Sequence, residues 1–265
     1  MIRFRDGWLR VASILALLLP VYFVLAALLT KFGLVDWRIG FGLMVFQLGA
    51  LVLLAVLLIT FVGLLLSVLV KPRRGWRTAL AALLVPVLAL GFVASVMNKT
   101  KTIPPIHDLA TNIQDPPQFS PAVLAARAAV AGGNPVTSMT EPVAMLKGQS
   151  VGQAGQAANP DLASLTLPLA VPAATELAAK AATDMGLKVA STSPATGQVE
   201  ATAESFWFGF KDDVAIRVRP GADGRSSIID IRSTSRVGMS DLGANAKRIR
   251  TLLADIKARS GSPAK

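Results

Sequence analysis

Between Gln198 and Val237 the chain alternates apolar and charged residues along what read as three neighbouring strands. Val199, Ala201 and Ala203 leave Glu200, Thr202 and Glu204 for the opposite face. Val214, Ile216 and Val218 do the same for Asp213, Arg217 and Arg219. Ile229, Ile231 and Ser233 leave Asp230, Arg232, Thr234 and Arg236 together. One sheet surface thus carries a grid of carboxylates and guanidiniums, which suits three chemistries. Cross-strand ion pairs stabilise a solvated sheet by a few tenths to about 1 kcal/mol each. Arginine forks fit the carboxylate or phosphate groups of a ligand. Paired carboxylates do acid–base work when their surroundings split their pKa values. The candidate binding residues are therefore Arg217, Arg232, Arg236, Glu200, Asp213 and Asp230, with no catalytic residue and no metal ligand assigned.

His107, beside Asp108, is the single histidine. A metal centre or a histidine-centred triad needs further groups placed around it, so His107 reads as a packing or surface residue. The chain has no glycine-rich phosphate loop, no HExxH and no serine elbow, and no cofactor is expected. Without cysteine, disulfides, thiolate metal sites and cysteine nucleophiles are excluded.

The elements that position the grid follow from turn and cap signals. Pro172 opens a helix that Gly186 ends. Strands are expected over Leu187–Thr192, Gln198–Phe208 and Lys211–Arg219, and then from Ser226, with turns at 193–197 and 220–224. Ser240 or Asp241 caps a closing helix whose Ile249, Leu252, Leu253 and Ile256 form an apolar stripe. Upstream, Asn98–Phe119 reads as an extended connector. Ser120 and Pro121 start a short helix that runs to Ala131, and Asn134–Pro160 reads as a loop or partly ordered wrap. In Phe206-Trp207-Phe208-Gly209-Phe210, alternation places Trp207 with the core, and the loop over 134–160 is expected to cover the phenylalanines. The order helix, four strands, helix implies an α+β fold, an antiparallel sheet with packed helices.

Three apolar runs precede this domain: Trp8–Thr30, Phe41–Val70 and Thr78–Met97. Each reaches the roughly 20 residues that cross a bilayer core. The net charge is +11, and nine basic against two acidic residues fall at or before Arg77. Most of the basicity is therefore topological and needs no nucleic acid partner. Arg3, Arg5, Arg10, Lys71, Arg73, Arg74 and Arg77 outnumber Lys31, Arg38, Lys99 and Lys101 on the other side. This asymmetry puts the N-terminus in the cytoplasm and everything after Met97 outside, which in a Gram-negative cell is the periplasm. The spans hold no ionisable side chain away from the loops, which argues against ion transport. Gly42, Gly49 and Gly63 share a face of the second span, for packing among its own helices or against a partner helix. The expected organisation is a three-span anchor over 1–97, a connector over 98–120 and a domain over 121–265.

Three stretches, IPPIHDLATNIQDPPQF, FWFGFKDDVAIRVRP and IDIRSTSRVGMSDLGANAKRIR, resemble the domain-of-unknown-function 1499 family. The likeness covers about Ile103 to Ile256, and its departure is Asn112, where an acidic residue is expected. The resemblance implies a bacterial multi-spanning inner-membrane protein with this domain at its C-terminus, and little about activity. The expected role is binding or scaffolding in the cell envelope, with an envelope hydrolase acting on a polar polymer or lipid headgroup as the alternative. The expected partners are the lipid bilayer and an anionic envelope ligand or another membrane protein.

Overall fold

The computed structural model describes residues 1–261 and has an α+β C-terminal half behind three long helices. The chain divides into two compact units. One comprises Met1–Lys99 with Phe206–Gly209, and the other comprises Thr100–Ser205 with Phe210 onward. The domain expected over 121–265 is described to Gly261, and residues 262–265 lie outside the described residues.

In the first unit, α1 spans Ile2–Lys31. A π-helical stretch over Arg38–Leu48 runs into α2, Gly49–Leu69, and α3 spans Trp76–Thr100. All three spans are long and apolar enough to cross a membrane. Small residues set how closely α1 and α2 approach. A Cβ on Gly49 would lie 2.8 Å from the Phe23 ring, and one on Gly63 would lie 3.3 Å from Leu9. Those two glycines therefore pack against the protein's own first helix. Gly42 meets nothing. The tightest approach is at Gly40, where a Cβ would fall 1.8 Å from Thr30 Oγ1. Arg5, read from sequence as a loop charge, is buried. Its guanidinium donates to the carbonyls of Val70 and Pro72, just beyond the end of α2.

In the second unit, β1 (Asp108–Ala110), α4 (Pro121–Ala128), α5 (Val151–Ala158), β2 (Leu165–Leu167) and α6 (Val171–Asp184) precede a four-strand meander. That meander is β3 (Lys188–Ser193), β4 (Gln198–Glu204), β5 (Lys211–Pro220) and β6 (Ser227–Ser235), and α7 (Ala244–Ser260) follows it. The sheet order is β1-β6-β5-β4-β3, all pairs antiparallel. The outer edge of β6 is shared, with β1 pairing Arg232–Thr234 and β2 pairing Ser227–Ile229. Between them Thr111 bridges the gap, donating its N–H to the Ile231 carbonyl and accepting the Ile231 N–H at Oγ1, 2.9 Å.

One sheet face is the apolar core. Val199, Val214, Ile216, Ile229 and Ile231 pack against Ala174, Ala178 and Ala181 of α6 and against Ile249, Leu252 and Ile256 of α7. Alanines on α6 let that helix lie close to the strands. Leu253, expected in the stripe, is half-buried at its edge. The N-cap of α7 is Gly243, at a left-handed φ of 84°, and neither Ser240 nor Asp241; Asp241 lies just upstream and accepts the N–H groups of Gly243 and Asn245 at 2.8 and 2.9 Å.

Several expectations shift. The stretch over 134–160 is more ordered than a wrap. Ser150 and Gln153 form a reciprocal capping box that starts α5, and α5 packs on β1. The connector holds β1 and so belongs to the sheet. Alternation ends at Glu204, because Ser205 N–H bonds to the Phe210 carbonyl and closes a tight turn. Phe206 and Trp207 ride that turn and are exposed, so Trp207 is not a core residue.

Candidate functional site

The strand register brings the six candidate residues to one surface. Asp213 lies opposite Thr202 and Thr234, Ala215 opposite Glu200 and Arg232, and Arg217 opposite Asp230. The centre of that surface is not solvated, although Arg217 and Arg236 are only partly buried. Asp213, Asp230, Arg232 and Glu200 are all buried, under a cover formed by residues 115–137 with α4 and by Ser164. The second face of the sheet is thus an interior polar layer.

Buried charges must be paired and hydrogen-bonded to be tolerated. Asp213 sits between Arg127 of α4, Nη1 at 2.9 Å, and Arg236, Nη2 at 2.7 Å, and Thr202 donates to it. Arg127 also donates to the carbonyls of Asn134, Thr234 and Ser235, so one side chain pins the cover to β6. Asp230 accepts from Arg217 at 2.9 Å, from Arg219 at 2.7 Å and from Ser164 Oγ at 2.5 Å. Arg217 reaches outward to Asp115 at 3.0 Å. Burial works against the Arg217 guanidinium, but the hydrogen bonds to Asp115 and Asp230 outweigh it and raise its pKa. Glu200 pairs with no cation among the described residues. It takes the Ser120 N–H at 2.6 Å, where the cover enters α4, and Ser191 Oγ at 3.2 Å.

Arg232 differs from the others. Its Nε and Nη2 grip both oxygens of Asp108 at 3.0 and 2.8 Å, and Nη2 also donates to the Thr137 carbonyl at 2.7 Å. Thr137 returns its N–H to Asp108. The guanidinium lies over the Phe119 ring, 5.8 Å from its centroid. Nη1 bonds to nothing among the described residues, and Arg232 forms part of the wall of a cleft of about 440 Å³. The other walls are the irregular segments around Gln118 and Thr137, with Leu124 of α4 exposed beside them. Of the six candidates, Arg232 alone lines this cleft. The other five hold the layer together. Among the described residues no cluster of His, Asp and Glu fits a metal ion.

A second polar network ties α7 to the sheet. Buried Asn245 accepts from Ser233 Oγ at 2.7 Å and from Arg248 at 2.6 Å, and donates to Ser235 and to the His107 carbonyl. Arg248 continues to Asp212 at 2.7 Å. This accounts for the polar stretch between β6 and α7.

His107 packs at the edge of the polar layer, with Nε2 3.2 Å from Thr137 Oγ1. Burial pushes its pKa below the ordinary 6.5, and the charge of Asp108 only partly opposes this. The folded state therefore binds a proton on His107 less readily than the unfolded chain does. Its contribution to stability is complete above about pH 6.5 and is lost as the pH falls below that value. Chemical denaturation between about pH 7 and pH 5.5 should show stability falling with acid, and His107→Gln should flatten that slope. An unchanged slope in the variant would assign it to other groups.

Arg127, Asp108, Asp115 and Ser164 are the layer residues that sequence reasoning missed. Asp108 was in view only as a neighbour of His107. Arg127 carried a weak signal, being the single basic residue of an alanine-rich helix.

No curated protein matches the chain. A family model described as a protein of unknown function, DUF1499, matches residues 108–256, from β1 to the last turns of α7 and so across the whole sheet and its cover. With more than half of its length matched, and over the unit that carries the polar layer, the chain belongs to the DUF1499 family.

Proposed function

We propose that this protein is a membrane-anchored binding module of the bacterial cell envelope. Three helices hold it in the inner membrane and its sheet domain faces the periplasm. The observation that carries the binding reading is the cleft at Arg232, a buried guanidinium that forms part of the wall and whose Nη1 has no partner among the described residues. The acid–base alternative has less support. Asp108, Asp213 and Asp230 are each held by arginines, and Glu200 by two donors from its own chain, so no carboxylate in the layer is left to shuttle a proton. The loop charges support the orientation, with Lys71, Arg73 and Arg74 on the cytoplasmic side with the N-terminus.

Photocrosslinking in living cells tests both halves of this reading. A photoreactive residue at Leu124 should trap a discrete adduct, whereas one at Ala126, exposed on α4 but outside the cleft, should not. Reporter fusions after Arg74 and after Asn98 should report cytoplasm and periplasm respectively. Equal adducts at both positions would remove the cleft as a site, and a cytoplasmic signal at Asn98 would reverse the orientation.

A further inference from the structure

We infer that the cleft at Arg232 takes a short, uncharged peptide segment, with a backbone carbonyl accepting from Arg232 Nη1. This rests on the binding reading above and names its ligand class. Arginines suggest an anion, but the pairing of Arg232 argues otherwise. Nε and Nη2 are committed to the two oxygens of Asp108, which cancels the charge of Arg232 where it meets the cleft. Among the described residues no other cation lines the space. A carboxylate or phosphate bound there would be a desolvated charge without a counter-charge, which is costly. A neutral carbonyl adds no charge and still gains a hydrogen bond strengthened by the guanidinium.

The walls match the rest of a peptide. Phe119, Leu124 and Met139 offer apolar contact, while Gln114, Gln118 and Ser138 offer side-chain donors and acceptors. A peptide alternates apolar side chains with amide groups and satisfies both kinds of wall. An acyl chain would leave the glutamines and serine facing hydrocarbon. A cleft of about 440 Å³ is near the small end of the roughly 300–1,000 Å³ range of ligand pockets, so it holds a few residues rather than a folded partner.

The test uses the full-length protein in detergent micelles and a pool of N-acetylated, C-amidated tripeptides of uncharged residues centred on leucine. Equilibrium dialysis with mass spectrometry should recover specific members. Raising salt from about 0.05 to 0.5 M should change their affinity by less than about twofold, since no net charge is neutralised on binding. Leu124→Asp, on an exposed position, should weaken them by about tenfold or more, and Gln118→Ala should weaken them measurably. No recovery from the capped pool overturns the peptide assignment. Tighter binding of the uncapped carboxylate forms or of inorganic phosphate, falling with salt, also overturns it. In either case the crosslink at Leu124 tells the two failures apart: if it persists, only the ligand class is wrong, and if it is absent, the cleft reading falls as well.

Discussion

Asp213→Ala is expected to cost the sheet domain about 3–5 kcal/mol, a large share of a typical domain's stability, because it leaves the buried Arg127 guanidinium and the partly buried Arg236 guanidinium without their carboxylate. Arg127 and Arg236 both pair with Asp213, whose side chain is 1% exposed. Arg127 cannot simply turn to water, since it is itself buried and its other bonds run to backbone carbonyls beneath the cover, whereas Arg236 is partly exposed. The control is Asp161→Ala, which breaks the exposed pair with Arg250 and should leave the unfolding midpoint nearly unchanged. Denaturant titration of both variants decides the matter. Equal midpoints would mean that the layer is wetter than the structure shows.

The second large effect is at Arg232. Arg232→Met strands Asp108, which is fully buried, and should destabilise the domain by about 3–5 kcal/mol. Unlike Asp213, this pair is nearly self-contained. Adding Asp108→Leu removes the stranded charge and fills its place with hydrocarbon. The double variant should therefore recover most of the lost stability, as buried ion pairs replaced by apolar residues often do. The same double variant should bind no peptide in the cleft, because Nη1 is gone while the fold is kept. A double variant as unstable as Arg232→Met alone would show that Asp108 has duties beyond holding Arg232. The N–H of Thr137 is the candidate, since it also bonds to Asp108.

The sheet was legible in the sequence to the extent that its strands alternate. Glu200, Asp213, Arg217, Asp230, Arg232 and Arg236 fall on one face, opposite Val199, Val214 and Ile231, as the period of two requires. The burial of that face was not legible. Charged residues on a strand look the same whether water or another layer of chain lies above them. The deciding contacts here join residues far apart, such as Arg127 with Asp213 and Ser120 with Glu200. The cover itself is rich in Ala and Pro and reads as a linker with one short helix, because its polar groups are answered by the layer beneath rather than by water. The three-residue strands β1 and β2 are too short to show a period. The start of α5, by contrast, was legible in principle, since Ser150 and Gln153 stand at capping-box spacing. The aromatic turn misled for a different reason. Alternation carried past Glu204 puts Trp207 inside, but the tight turn at Ser205 breaks the count.

Closure of the charged face around Asp213, Ala215 and Asp230 is the feature on which the rest depends. Ala215 tests it most directly. It lies on the charged face between Glu200 and Arg232, is 2% exposed, and lines no part of the cleft. The chain has no cysteine, so a single introduced thiol is the only one that a maleimide can modify. Labelling of Ala215→Cys in the native protein should be negligible and should appear on denaturation, while Ala126→Cys on the exposed side of α4 labels at once. Rapid native labelling of Ala215→Cys, in protein that denaturant titration shows to be folded, would contradict the account and return the charged face to solvent.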